Sequence, residues 1–303
     1  MTIEIFEMEL VSWHADRART TRVGVEQELI VRDVRTGGTV DLERLSAAVA
    51  DTHHAPHVTF EPGGQLELSL PVARSGTDAA RSLVDAVTCV RRAVARDGIE
   101  LLDDAVDTRP AVPRRLRSPR YDAMERHFDS IGPAGRVMMR RTASTQVCVD
   151  WWPGQEGIDQ YRALLLAGPW LAAAYARGTG PGSRLATWLD VDPARTAFDG
   201  RLLDGDPAQA YARFAAGAPQ FADPHESTLF PPVRPRGHYL EVRYLDAQPL
   251  DRVEQAVEAI ATIAYDPEVR GRVLERLEPL APRLGDHWRV AAYGGLGTAG
   301  LAA

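Results

Sequence analysis

The chain of 303 residues has no lysine and no asparagine; all 35 of its basic residues are arginine. These absences remove whole mechanisms. A P-loop needs its lysine, a Schiff-base enzyme needs an amine nucleophile, and a kinase needs a strand lysine and a catalytic-loop asparagine. Any phosphate handled here must be held by arginine and by metal-bound carboxylates. Cysteine is nearly absent as well. Cys89 and Cys148 supply neither a disulfide framework nor a zinc-site spacing, which fits a reducing cytoplasm. The first ten residues carry Glu4, Glu7 and Glu9 and no basic residue, unlike a signal peptide. The longest apolar run, near residues 163–174, is too short to span a bilayer and contains Gly168-Pro169. A formal net charge of −7 argues against nucleic acid as a partner. Hydrophobic residues make up 45% of the chain, so a sizeable core is expected and wholesale disorder is not.

What is present is a set of strands with acids on one face. In Val23-Gly24-Val25-Glu26-Gln27-Glu28-Leu29 the period of two puts Glu26 and Glu28 together and turns Val25 and Leu29 away. Neighbouring carboxylates repel and are costly to desolvate, so a hard cation such as Mg²⁺ is a natural partner; the alternative is a solvated surface strand. After the turn Pro62-Gly63-Gly64, Leu66, Leu68 and Leu70 alternate with Gln65, Glu67 and Ser69, and Glu61 sits just before the turn. Residues 137–150 read as a third strand, with Ser144, Gln146, Cys148 and Asp150 opposite Thr145, Val147 and Val149. The Gln146 amide could ligate a metal through its carbonyl oxygen. Pro231 to Arg236 is an extended lead-in to a fourth strand, in which Glu241 and Arg243 share a face and Leu240, Val242 and Tyr244 the other. A carboxylate two residues from an arginine suits phosphoryl transfer, where a cation holds oxygens and a guanidinium stabilises charge. An ordinary salt bridge is the plain alternative.

Between the strands the pattern is helical. Residues 1–20 have weak helical character, and Asp41 is placed to cap a helix running to about Asp51. Residues 77–97 form an amphipathic helix, with Cys89 expected as a packing residue. Tyr121–Phe128 is a short helix, and 158–176 an apolar one interrupted at Gly168-Pro169. Asp206–Ala216 is helical, and Trp188–Phe198 has no clear period. Asp251 and Glu254 form a capping box, and Pro267 opens another helix. His53, His54 and His57 lie around Pro56 in a loop, not at the i, i+4 helical spacing of a metal pair. Arg109, Arg114, Arg115, Arg117 and Arg120 crowd a Pro-rich loop at 107–120, by default solvated and alternatively anion-binding. Gly295 to Gly300 matches a dinucleotide fingerprint by letter, but too little chain follows for a helix.

Strands with one apolar face, interleaved with helices, predict an α+β fold. A largely antiparallel curved sheet carries helices on its apolar face, and the other face is an acid-lined concave site. The segments Gly24–Glu28, Glu61–Ser69, Tyr121–Glu125, Met138–Asp150 and Phe230–Asp246 resemble the bacterial glutamate–cysteine ligases, most closely the ergothioneine-pathway branch. The resemblance runs in order over most of the chain. It implies a glutamine-synthetase-like fold in a single domain over residues 1–303. It also implies an ATP- and Mg²⁺-dependent reaction in which the γ-carboxylate of L-glutamate is phosphorylated and then joined to an amino acid's amine. By the same resemblance Glu26, Glu28, Glu61, Glu67 and Glu241 are Mg²⁺ ligands, with Gln146 where some relatives place a histidine. Arg243 is the catalytic charge stabiliser, and Arg243, Arg234, Arg236 and Tyr121 are substrate- or nucleotide-binding. The chain is shorter than these relatives, the difference falling near residues 216–226. Arg140-Arg141 and Cys148 also depart from the family pattern. The acceptor is therefore expected to be cysteine or, alternatively, another small or non-protein amino acid. A non-catalytic nucleotide- or amino-acid-binding paralogue is the other reading.

Overall fold

The computed structural model describes residues 19–294. The expected N-terminal helical stretch falls almost wholly before that span, and the glycine-rich tail after it. In chain order the elements are β1 (Val23–Asp33), α1 (Leu42–Val49), β2 (Val58–Phe60), β3 (Leu66–Ser69), α2 (Gly76–Ala95) and β4 (Ile99–Leu102). Next come α3 (Pro119–Asp129), α4 (Ala134–Arg141), β5 (Ser144–Asp150), α5 (Gly154–Ala174), α6 (Arg184–Leu189), α7 (Pro193–Thr196) and α8 (Pro207–Gly217). The last are β6 (Val233–Arg236), β7 (Tyr239–Asp246), α9 (Leu250–Tyr265), α10 (Pro267–Leu277) and α11 (Leu284–Ala292).

The strands form one sheet in the order β2-β3-β1-β5-β7-β6, with β4 paired to the far half of β1. Every pairing is antiparallel. Alternation decides which face is which. Val23, Val25, Leu29, Leu66, Leu68, Val147, Val149, Leu240 and Val242 all lie on one side and are buried. Against them pack Leu83, Val87 and Val90 of α2, Leu164 of α5, and Val253, Val257 and Ile260 of α9. Each such side chain contributes ~1.5–3 kcal/mol by leaving water. This layer fixes the register, because a one-residue slip of β1 would turn Glu26 and Glu28 into the core.

Five expectations are corrected. Residues 137–141 are not strand but the end of α4. Met138 and Met139 pack with Met124, Phe128 and Phe230 in a second cluster, and Gly135 lets α4 lie against Phe128 so closely that a Cβ there would come within 2.1 Å. Helix α5 is not interrupted: Pro169 sits inside it. Such a proline costs ~3 kcal/mol. The turn is held by packing, with Gly168 pressed to the Trp288 ring, 2.5 Å from where a Cβ would be. No capping box opens α9, because Pro249 takes the cap position and Asp251 falls in the first turn. There Asp251 still meets the positive end of the helix. Finally, Cys89 is only partly buried and lines a groove with His53. Helices are also not confined to the apolar side, since α3, α4 and α6 wall the polar side. Among the described residues no helix is long and apolar enough to cross a membrane.

Candidate active site

The polar face of the sheet lines a cavity of about 290 Å³. Register explains its composition. Glu28 faces Glu67 across β1–β3, and Glu26 faces Gln146 across β1–β5. Cys148 faces Glu241 across β5–β7, and Glu241 faces Arg234 across β6–β7. The β5–β7 pairing shifts between Thr145 and Val147, where Arg243 and Tyr244 together oppose Gln146, a bulge on β7 at the cavity wall. Glu61 arrives from the β2–β3 turn. Its N–H bonds to the Gln65 carbonyl at 2.9 Å. The Gln65 side chain accepts from Gly63 N at 3.0 Å and donates to the Thr142 carbonyl at 2.9 Å, pinning the turn to the connection between α4 and β5. Gly63 passes so close to the Arg140 carbonyl that a Cβ would stand 2.1 Å from its oxygen. Gly63→Ala is therefore expected to cost about 1–3 kcal/mol and to displace Glu61. A urea melt checks this, and an unchanged midpoint would show that the close approach is absent.

Two electrostatic halves meet in the cavity. In the first, Glu28, Glu61 and Glu67 each offer an oxygen, and the three oxygens lie within 4.8 Å of one another. Among the described residues no arginine or histidine forms an ion pair with these three or with Glu26. Burial pushes Glu61 up to about 8, with Glu28 and Glu67 adding repulsion. Burial and Glu67 push Glu28 and Glu26 up to about 7. Glu28 takes hydrogen bonds from Ser144 N at 2.7 Å and Gln146 Nε2 at 3.2 Å, and Glu67 from Thr59 Oγ1 at 2.8 Å. This half is short of positive charge.

In the second half the charge is balanced. Arg234 makes a two-pronged contact with Glu241 at 2.9 and 2.8 Å, and Arg243 Nη1 reaches the same carboxylate. Burial alone would raise Glu241, but Arg243 and Arg234 hold it below its ordinary value. Arg243 Nη1 also donates to Gln146 Oε1 at 2.5 Å, so both ends of the Gln146 amide are engaged. Arg236 stands at the rim, 3.9 Å from Glu241. Tyr121 lines the opposite wall, with Arg120 stacked 4.4 Å from its ring centre.

The structure thus brings every expected residue to one cavity and splits the acids. Glu28, Glu61 and Glu67 form the compact cation-seeking group, with Glu26 beside it, while Glu241 anchors arginines. Reading the sequence missed three contributors. Arg120 was one arginine among several in a loop. Arg184 is buried beneath the cavity, donates to the Arg243 carbonyl at 2.9 Å and lies 3.9 Å from Asp246. Trp188 lines the cavity with a buried, unpartnered indole N–H, as does Arg243 with its Nε. Both Arg184 and Trp188 come from α6, too short to show a period. A smaller, more apolar pocket of about 200 Å³ adjoins through Glu26 and Tyr239 and is lined by Gly24 and Cys148. A Cβ at Gly24 would sit 3.3 Å from Cys148, so the glycine keeps this pocket open.

Comparison with known proteins points to one family. The model of Glutamate-cysteine ligase family 2 matches residues 22–294. The glutamate–cysteine ligase EgtA of Mycolicibacterium smegmatis is 34% identical, over 84% of this chain and 70% of that protein. EgtA of Mycobacterium tuberculosis strain H37Rv is 29% identical over 79% of this chain and 65% of that protein. A crystal structure of a bifunctional glutathione synthetase from Pasteurella multocida matches with a TM-score of 0.49 and 15% identity, over 92% of this chain and 43% of that one. At that score the α+β class rests on the sheet and helices themselves. The family model spans the whole cavity-forming sheet, and by that match the chain belongs to the glutamate–cysteine ligase family.

Proposed function

We propose that this chain is an ATP- and Mg²⁺-dependent γ-glutamyl ligase that joins the γ-carboxylate of L-glutamate to the amine of L-cysteine. The observation that carries the reading is the uncompensated Glu28–Glu61–Glu67 cluster facing Arg243 in one cavity. Buried carboxylates without a positive partner are costly, and hard divalent cations bind to oxygen donors of this kind. The donor set fits Mg²⁺: Glu28, Glu61 and Glu67 would hold it, with Glu26 beside them. Glu241 and Gln146 belong to the wider ligand set the family resemblance suggests; here they hold Arg243. Bound there, Mg²⁺ supplies neutralisation of phosphate charge. Family membership and the similarity to the EgtA proteins, which are glutamate–cysteine ligases, support the substrates.

A free carboxylate is a poor electrophile, so amide formation needs it activated, and transfer of a phosphoryl group from ATP provides a leaving group. Arg243, aimed by Glu241 and Gln146, stabilises negative charge on the transferred group. Arg234, Arg236 and Tyr121 bind substrate or nucleotide around it. Walls from Met124, Met138, Met139, Trp188 and Phe230 exclude the water that would hydrolyse an acyl phosphate. The test is ADP release with ATP, Mg²⁺, glutamate and a panel of amino acids. Cysteine is expected to give the highest kcat/KM and a γ-linked dipeptide. A different acceptor winning would replace cysteine, and no ADP with any acceptor would reject the ligase reading.

A further inference from the structure

We propose that His53, His54 and Cys89 form a second metal site, for a borderline divalent transition ion such as Zn²⁺, separate from the carboxylate cavity. The two histidines sit in the connection between α1 and β2, just before a single 3₁₀ turn at Ala55–His57. Cys89 comes from α2, more than thirty residues later. The fold brings their ligand atoms within 4.8 Å of one another. A tetrahedral ion bound by imidazole nitrogen and thiolate sets its ligands about 3.5 Å apart, so modest side-chain rotation closes the site. In the sequence the histidines lack helical metal-pair spacing, and the cysteines lack zinc-site spacing; the third ligand is supplied by tertiary structure.

Two further features suit this chemistry. The imidazole rings of His53 and His54 lie 3.8 Å apart, close enough for both to serve one ion. Asp85 lies one helical turn before Cys89 on α2 and lines the same groove, available for the fourth position that water would otherwise fill. Asp51 and Asp85 offset Arg92 and Arg96 in the groove. Binding displaces the Cys89 proton to solvent and forms a sulfur–metal bond. Nitrogen and sulfur donors select against Mg²⁺, so the site does not compete with the oxygen-lined cavity. It also lies on the apolar side of the sheet, where α2 packs against β1. An ion here would tie the segment leading to β2, and so to Glu61, onto α2. The inference stands apart from the ligase reading.

The test uses Co²⁺ as probe on the full chain, with Mg²⁺ in excess. One equivalent is expected to give a thiolate-to-cobalt charge-transfer band and intense four-coordinate visible bands. Cys89→Ser should abolish the charge-transfer band and Cys148→Ser should leave it. His54→Gln should weaken Co²⁺ binding by at least ~100-fold, as loss of a direct ligand exceeds loss of an outer-shell partner. No band in the parent chain, a band that survives Cys89→Ser, or loss in Cys148→Ser overturns the site. If Cys89→Ser does not fold, as judged by circular dichroism, His54→Gln decides: unchanged affinity overturns the site, and the expected loss supports it.

Discussion

Arg243→Ala is expected to lower turnover by ~10²–10³, with a far smaller change in KM for glutamate or cysteine. The reason lies in how the side chain is held. Its Nη1 is fixed by Glu241 and by Gln146 at 2.5 Å, its carbonyl by buried Arg184, and its Nε is buried and unpartnered. A guanidinium so constrained is aimed before substrate arrives, and such a group helps most where charge develops. Lysine is not an equivalent replacement, since its one nitrogen could stand in only for Nη1, which meets Glu241 and Gln146, and would leave no second donor in place of the unpartnered Nε. Arg243→Lys should therefore recover little of the lost rate. Steady-state kinetics on both variants check this, and an unchanged kcat for Arg243→Ala would refute the role.

The second large effect concerns stability. Without divalent metal, the protein should become less stable as pH rises from about 5 to about 8. Glu26 and Glu28 stand near 7 and Glu61 near 8 in the folded chain, above an ordinary value of 4.5. Between those values the folded state binds more protons than the unfolded state. Stability is therefore full below the unfolded value and falls as pH climbs through the folded ones. The loss is on the order of a few kcal/mol, because each unit of displacement is worth ~1.4 kcal/mol and the three groups share their repulsion. Mg²⁺ should remove much of this slope and raise Tm most at the alkaline end, since it binds the ionised cluster. Thermal melts across pH, with and without Mg²⁺, measure both. A metal-free Tm flat or rising over this window would contradict the electrostatic account.

The sheet was legible in the sequence because it has one dry face. Val25, Leu66, Val147 and Val242 alternate with polar residues, and alternation reports burial on one side. Glu26, Glu28, Glu67, Glu241 and Arg243 could therefore be placed on one face before any coordinates. Differences among those acids could not. Glu241 is paired and Glu61 is not because β6 folds back to set Arg234 beside Glu241, a contact decided by hairpin register. Elements held by distant partners were also illegible. Pro169 stays helical because Trp288 packs on Gly168, and residues 137–141 coil because α3 offers an apolar surface. Arg184, Trp188 and the approach of Cys89 to His53 and His54 depend on packing between elements, which a local pattern does not carry.

The most direct measurement of the central claim follows an oxygen atom. L-Glutamate labelled with ¹⁸O in its γ-carboxylate is turned over with ATP, Mg²⁺ and L-cysteine, and the released inorganic phosphate is weighed by mass spectrometry. Activation through an acyl phosphate at the Glu28–Glu61–Glu67 and Arg243 cavity predicts one labelled oxygen per phosphate, with ADP as the other product. Dipeptide formed with unlabelled phosphate, or with AMP in place of ADP, would contradict it.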